Sequence, residues 1–154
     1  MPRRAARVRE RRAPVSVLVD TNVVLDLVLA REPWAAEAAA LLDAVASGRL
    51  TGFIAGHTIT TIFYLVRRAA GVPRARTAVA DILNILTVVP LEGADYLHAL
   101  SPGLRDYEDA VQAVAALRAG ATWLVTRNPG DYKGVPVEIR SAGEVLALLE
   151  EDGE

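Results

Sequence analysis

The sequence contains no cysteine, so disulfides and thiolate metal sites are both excluded, and any bound metal must rest on oxygen or imidazole ligands. Its two histidines, His57 and His98, do not make a zinc centre. No run of eighteen or more apolar residues occurs, and the arginines at the start lead into no signal-peptide apolar core. These absences point to a soluble, cytoplasmic chain without a membrane partner. At 154 residues it has the length of a single domain and can bury a core without covalent staples.

Charge is present but unevenly spread. The formal net charge is −2, yet Arg3, Arg4, Arg7, Arg9, Arg11 and Arg12 crowd the first twelve residues against Glu10 alone. Such a block reads as a disordered tail over residues 1–14, as a contact for nucleic-acid phosphates, or as a start placed too far upstream. The remaining domain is read as residues 15–150.

The chain is organised around Val15 to Asp26. Val15, Val17, Leu18 and Val19 form a β-branched apolar run of the kind that makes a buried parallel strand. Asp20 ends the run, and Thr21-Asn22 offers oxygens for capping a helix from Val23 to Ala30. Pro33 suits the first position of a second helix, Trp34 to Val45. A strand follows over Leu50 to Ala55, then a helix over His57 to Arg68, whose Ile59, Ile62, Phe63 and Val66 recur at helical period. Pro73 opens a helix over Arg74 to Leu86, and Thr87-Val88-Val89 reads as a strand. Glu92 to Leu100 is helical, and an alanine-rich helix opening at Arg105-Asp106-Tyr107-Glu108-Asp109 runs to Leu117. Thr122 to Thr126 and Val135 to Ile139 are the last strands, separated by the turn Asn128-Pro129-Gly130-Asp131, and Ser141 caps a final helix to Glu150. Strands alternating with helices predict an α/β three-layer sandwich with a mostly parallel five-stranded sheet.

Carboxylates recur where such a sheet builds ligand sites. Asp20 stands at a strand's carboxyl end, where it either caps the next helix or belongs to a site. Asp106 and Asp109 share one helix face, either as an acidic capping pair or as acids opening on a cleft. Asn128 and Asp131 follow the fourth strand, as an Asx turn or as part of the same site. Closely placed carboxylates resist ionising together unless a cation is present, and oxygen-only ligands suit Mg²⁺ or Mn²⁺. Such an ion activates water for in-line attack on a phosphodiester.

Val-Leu-Val-Asp20-Thr-Asn22-Val-Val-Leu-Asp26 resembles the opening motif of the PIN-domain family. Asp106-Tyr-Glu-Asp109-Ala-Val-Gln resembles its third acidic motif, and Val125-Thr126-Arg127-Asn128-Pro-Gly-Asp131-Tyr its fourth. The resemblance runs from Val15 to the final helix and is strongest to bacterial PIN proteins that include VapC-type toxins. It implies a metal-dependent ribonuclease acting on RNA, often a homodimer and often neutralised by a small antitoxin. By position, Asp20 and Asp109 would be metal ligands, with Asp131 and Asn128 completing the metal and water shell and Asp106 beside them. Asn22 and Thr126 would support the site, Arg127 would contact RNA, and Asp26 would be either an exposed helix residue or a further support. One departure stands out. The family's second acidic motif places a glutamate where this chain has Thr61. Asp106 then supplies the missing charge, or metal binding is weak; His57, at a helix start, reads as a cap sooner than as a base.

Two other readings remain. A haloacid-dehalogenase-like phosphatase wants a second acid two residues after its nucleophilic aspartate, where this chain has Asn22, and a lysine, of which Lys133 is the only one. A catalytically weak PIN domain that binds RNA or a protein partner fits the Thr61 departure.

Overall fold

The computed structural model describes residues 14–101 and 103–153; the arginine-rich segment singled out above lies outside them. Five strands, β1 (Ser16–Val19), β2 (Thr51–Ala55), β3 (Thr87–Val89), β4 (Trp123–Val125) and β5 (Glu138–Arg140), form one sheet in the order β3-β2-β1-β4-β5. Every pairing is parallel. Val17, Leu18 and Val19 of central β1 are completely buried, which is why the strand is apolar without alternation: helices cover both faces.

The helices are α1 (Thr21–Val28), α2 (Ala35–Ala46), α3 (Gly56–Ala70), α4 (Val72–Ile85), α5 (Gly93–His98), α6 (Tyr107–Ala119) and α7 (Ala142–Asp152). Val17 and Val19 point into the larger core, shared with Leu41, Leu42, Ile62 and Val145 from α2, α3 and α7. Leu18, one residue out of phase, points to the opposite face, where Leu124 meets Ala113, Ala115 and Ala116 of α6. The run Ala110 to Ala116 is wholly buried, so α6 is a core helix lying close on the sheet through its small side chains. Gly120, in the left-handed conformation at φ 63°, ends it.

From β1, the chain winds through β2 and β3 to one edge, then returns to β4 and β5 on the other side. The carboxyl ends of β1 and β4 therefore form the switch point at which such sheets bind ligands. Asp20 sits there, its backbone N–H continuing the ladder to the Val125 carbonyl at 2.9 Å.

Some boundaries differ from expectation. Asp20, rather than Thr21 or Asn22, is the N-cap of α1. Pro33 lies in the turn before α2, which begins at Ala35. The last strand pairs only from Glu138, because Pro136 has no N–H to give a ladder, and Val135 and Val137 pack beneath the sheet instead. The segment Pro129–Tyr132 winds into a single 3-10 turn. Among the described residues no helix is long and apolar enough to cross a membrane.

Candidate functional site

The Asp20 carboxylate is only 3% exposed and is held from four sides. Its Oδ1 accepts from the Asn22 backbone N–H at 3.2 Å and from Gln112 Nε2 at 3.3 Å. Its Oδ2 accepts from the Thr126 hydroxyl at 2.7 Å and from the Tyr132 hydroxyl at 3.2 Å. Asp20 is thus the helix cap and, at the same time, the centre of a buried polar network.

Asp109 comes from the first turn of α6. Asp106 caps that helix, accepting from the Asp109 backbone N–H at 3.0 Å. The Asp109 side chain turns inward, where its Oδ1 accepts from the Tyr132 hydroxyl at 3.2 Å. One phenol proton therefore faces two carboxylates. Burial pushes the Asp109 carboxyl up to about 6, the charges of Asp106, Asp20 and Asp131 add to the rise, and the Tyr132 hydrogen bond opposes it. Burial, followed by the same two anions Asp20 and Asp109, holds the Tyr132 phenol far above its ordinary range, so it remains a neutral donor.

Asp106, Asp109 and Asp131 line one hollow of about 430 Å³, and Arg105 and Lys133 also line it. Asn128 is exposed, and its backbone N–H reaches the Thr126 hydroxyl at 3.1 Å, so Thr126 ties the β4 end both to Asp20 and to the next turn. Asn22 contributes its backbone N–H. Asp26 is not an exposed helix residue: it is 1% exposed, and Arg127 Nε lies 2.6 Å from its Oδ2, with Nη2 donating to Oδ1 at 3.1 Å. The Arg127 guanidinium, expected to meet RNA phosphate, is committed inside the protein to Asp26 and stacks 3.9 Å from the Trp34 ring centre.

Two contributors, Gln112 and Tyr132, were not foreseen, and His57 departs from its expected role. Gln112 is the lone polar residue in the buried run of α6, three positions after Asp109, and that isolation was a legible signal. It also accepts from the Thr21 N–H at 3.2 Å and donates to the Tyr132 oxygen at 3.2 Å. Tyr132 gave no signal, since an aromatic after a turn is ordinary. His57 is not a cap: Ala55 precedes α3 without a side-chain bond, and both His57 ring nitrogens are buried without partners. Burial lowers its pKa, opposed by the charges of Glu108, Asp20 and Asp106. Thr61 is half-buried one turn further along the same helix.

Among the described residues, no three carboxylate or histidine side chains converge into a closed metal cage. The donor set nonetheless fits a hydrated Mg²⁺ or Mn²⁺. Such ions keep several waters and need only one or two carboxylates besides substrate phosphate. Burial, then the neighbouring charges of Asp106, Asp20 and Asp131, raise the Asp109 pKa, and a cation bound there would oppose that rise.

A family model described as PIN domain matches residues 16–129. The fold is shared with VapBC2 from Rickettsia felis bound to a DNA fragment from its promoter, at TM-score 0.64 and 15% identity, covering 82% of this chain and 98% of that one. It is shared with VapC20 of Mycobacterium tuberculosis, a sarcin–ricin loop cleaving toxin, at TM-score 0.57 and 18% identity, covering 70% and 86%. A toxin–antitoxin complex from Klebsiella pneumoniae matches at TM-score 0.60 and 22% identity, covering 82% and 97%. No curated protein matches the chain by sequence.

Proposed function

Because the chain belongs to the PIN-domain family, we propose that it is a metal-dependent endoribonuclease acting as the toxin of a toxin–antitoxin pair. The observation that carries this reading is the meeting of Asp20 and Asp109 on one hydroxyl at the sheet's switch point, with the Asp109 carboxyl pushed up to about 6. Asp20 and Asp109 would hold the ion, Asp131 would stand at the open side of the hollow, and Asp106 would add charge. When bound, a divalent ion supplies an activated water and stabilises charge on the phosphodiester. Thr126 and Gln112 keep Asp20 in one orientation, so no reorganisation is needed when substrate arrives. Arg105 and Lys133, on the wall of the acidic hollow, supply cations for the phosphates on either side of the reacting one.

The partners follow the same reading. One matched structure is described as a toxin–antitoxin complex, which supports a small antitoxin. The exposed Leu97 and Leu100 beside α5, with Tyr96 and Leu117, support a protein-contacting face such as a homodimer needs. Thr61, in place of the family's glutamate, favours a second reading, a catalytically weak PIN domain that binds RNA or protein. Cleavage of RNA with Mg²⁺ or Mn²⁺, with and without chelator, separates the two. Chelator-sensitive cleavage that Asp20→Asn abolishes is the expected result, and intact RNA under every condition leaves only the binding module.

A further inference from the structure

A second hollow, of about 210 Å³, opens between α1, α2 and α7, lined by Asp26, Trp34, Glu37, Thr126, Arg127 and Ser141. We propose that it is a guanine subsite, taking the base of a nucleotide next to the scissile phosphate; this rests on the nuclease reading above. The hollow and the acidic centre share one stretch of chain. Thr126 holds Asp20, and Arg127, the next residue, forms a wall of the hollow. Thr126 itself also lines the hollow, so the two places meet at one residue.

The wall is built for a flat ligand. Asp26 holds the edge of the Arg127 guanidinium by one hydrogen bond from Nη2 and an ion-pair contact at Nε, and Trp34 covers one side of it at 3.9 Å. A guanidinium fixed in this way is a rigid plane, and such planes and indoles are the surfaces on which nucleobases stack. The hollow is smaller than the roughly 300 to 1,000 Å³ of pockets for drug-sized ligands, which suits a single ring system.

Glu37 supplies the selectivity. Its Oε1 lies 2.9 Å from where a Cβ on Gly143 would stand, so the carboxylate rests on the first turn of α7 only because residue 143 has no side chain. The positive end of that helix favours a carboxylate there. Glu37 forms no ion pair among the described residues. A carboxylate offers two adjacent acceptors. Guanine alone among the four bases presents two adjacent donors, N1–H and N2–H₂, on its Watson–Crick edge. Adenine, cytosine and uracil would each set an acceptor against Glu37.

The test is a fluorescence titration of the full chain carrying Trp123→Phe, which leaves Trp34 as the sole indole, with each of the four nucleoside 5′-monophosphates. Saturable quenching by guanosine monophosphate, about tenfold tighter than by the adenosine or uridine compounds, is expected. Glu37→Gln should remove that preference, and Gly143→Ala, which displaces the carboxylate, should do the same. Equal quenching by all four nucleotides, or a preference that survives Glu37→Gln, overturns the subsite. A parallel cleavage assay on oligoribonucleotides with and without guanine keeps the two ideas apart. Cleavage indifferent to guanine overturns the subsite and spares the nuclease; guanine-selective binding without metal-dependent cleavage supports the subsite and overturns the nuclease.

Discussion

Tyr132 has one hydroxyl proton and two carboxylate oxygens at 3.2 Å, while Gln112 donates into its oxygen. A proton on Asp109 completes this network, because Asp109 then donates to the phenol and the phenol donates to Asp20. The Asp109 carboxyl titrates near 6 in the folded chain against an ordinary 3.8. Between those values the folded state binds a proton that the unfolded state has released, so the stabilisation is fully present below about pH 4 and is lost as pH rises through 6. The melting temperature of the metal-free protein, relative to Asp109→Asn, should therefore fall between pH 4.5 and 7. Adding Mn²⁺ should raise it mainly above pH 6, where Asp109 is a free carboxylate. Parallel melting curves for the two proteins would remove Asp109 as the holder of that proton. Thr61 tests the same centre from α3, four residues after His57 and so on its face of the helix. Thr61→Glu adds a charge whose attraction to an ion, at an effective dielectric of about 20, is on the order of 4 kcal/mol at 4 Å before desolvation. Repulsion and desolvation should leave about 1 kcal/mol, several-fold in Mn²⁺ affinity, with a lower melting temperature for the metal-free protein. Should Mn²⁺ rescue Thr61→Glu no more than wild type, Thr61 stands outside the site. Asp20 and Asp109 were legible in the sequence because a charge at the end of a buried strand or helix needs a reason. Tyr132 was not, because its importance lies in which distant elements meet it.

The strands and helices were legible in kind and order, because β-branched runs and 3.6-residue periods are local properties of the chain. Their ends were less so. The last strand begins three residues later than its apolar pattern suggests, since pairing depends on the N–H that Pro136 lacks, and hydrophobicity does not report that. The role of Asp26 was half hidden: a carboxylate six residues after Asp20 reads equally as a solvated helix position or a site support until Arg127, a hundred residues on, is brought against it. Gly52 in β2 shows the same dependence on remote elements. A Cβ there would stand 2.5 Å from Leu86 Cδ2 and 2.8 and 2.9 Å from the two Val45 methyls, so α2 and the end of α4 close on the sheet through that missing side chain. Gly52→Ala should cost about 1–3 kcal/mol by overpacking, measured as a lower urea midpoint with an unchanged slope. An unaltered midpoint would mean that these helices shift freely, and that the core face of β2 is less tightly packed than its buried residues indicate.

The molecule as a whole carries its charge in two opposed parts. Residues 1–13 hold six arginines against one glutamate, whereas the rest has eleven basic residues against eighteen acidic ones, a net −7. A domain of that sign, with Asp106, Asp109 and Asp131 lining its hollow, repels the polyanion it is proposed to cut. Divalent ions relieve the repulsion locally. Over distances beyond the Debye length, about 10 Å at 0.1 M salt, only the protein's own distribution of charge can steer RNA. The arginine segment is the densest source of positive charge in the sequence, ahead of Arg67, Arg68, Arg74 and Arg76. Each arginine that meets a phosphate releases counterions and adds roughly 0.7 to the salt slope of binding to a single strand. Deleting residues 1–13 should therefore weaken RNA binding at low salt and flatten the dependence of log K on log salt by about 2 to 4. The melting temperature should hold, because the sequence of this segment carries no apolar pattern to bury. Equal affinity and equal slope in the shortened chain would mean that RNA reaches the acidic hollow without this segment, leaving Arg105 and Lys133 as the phosphate contacts at the site.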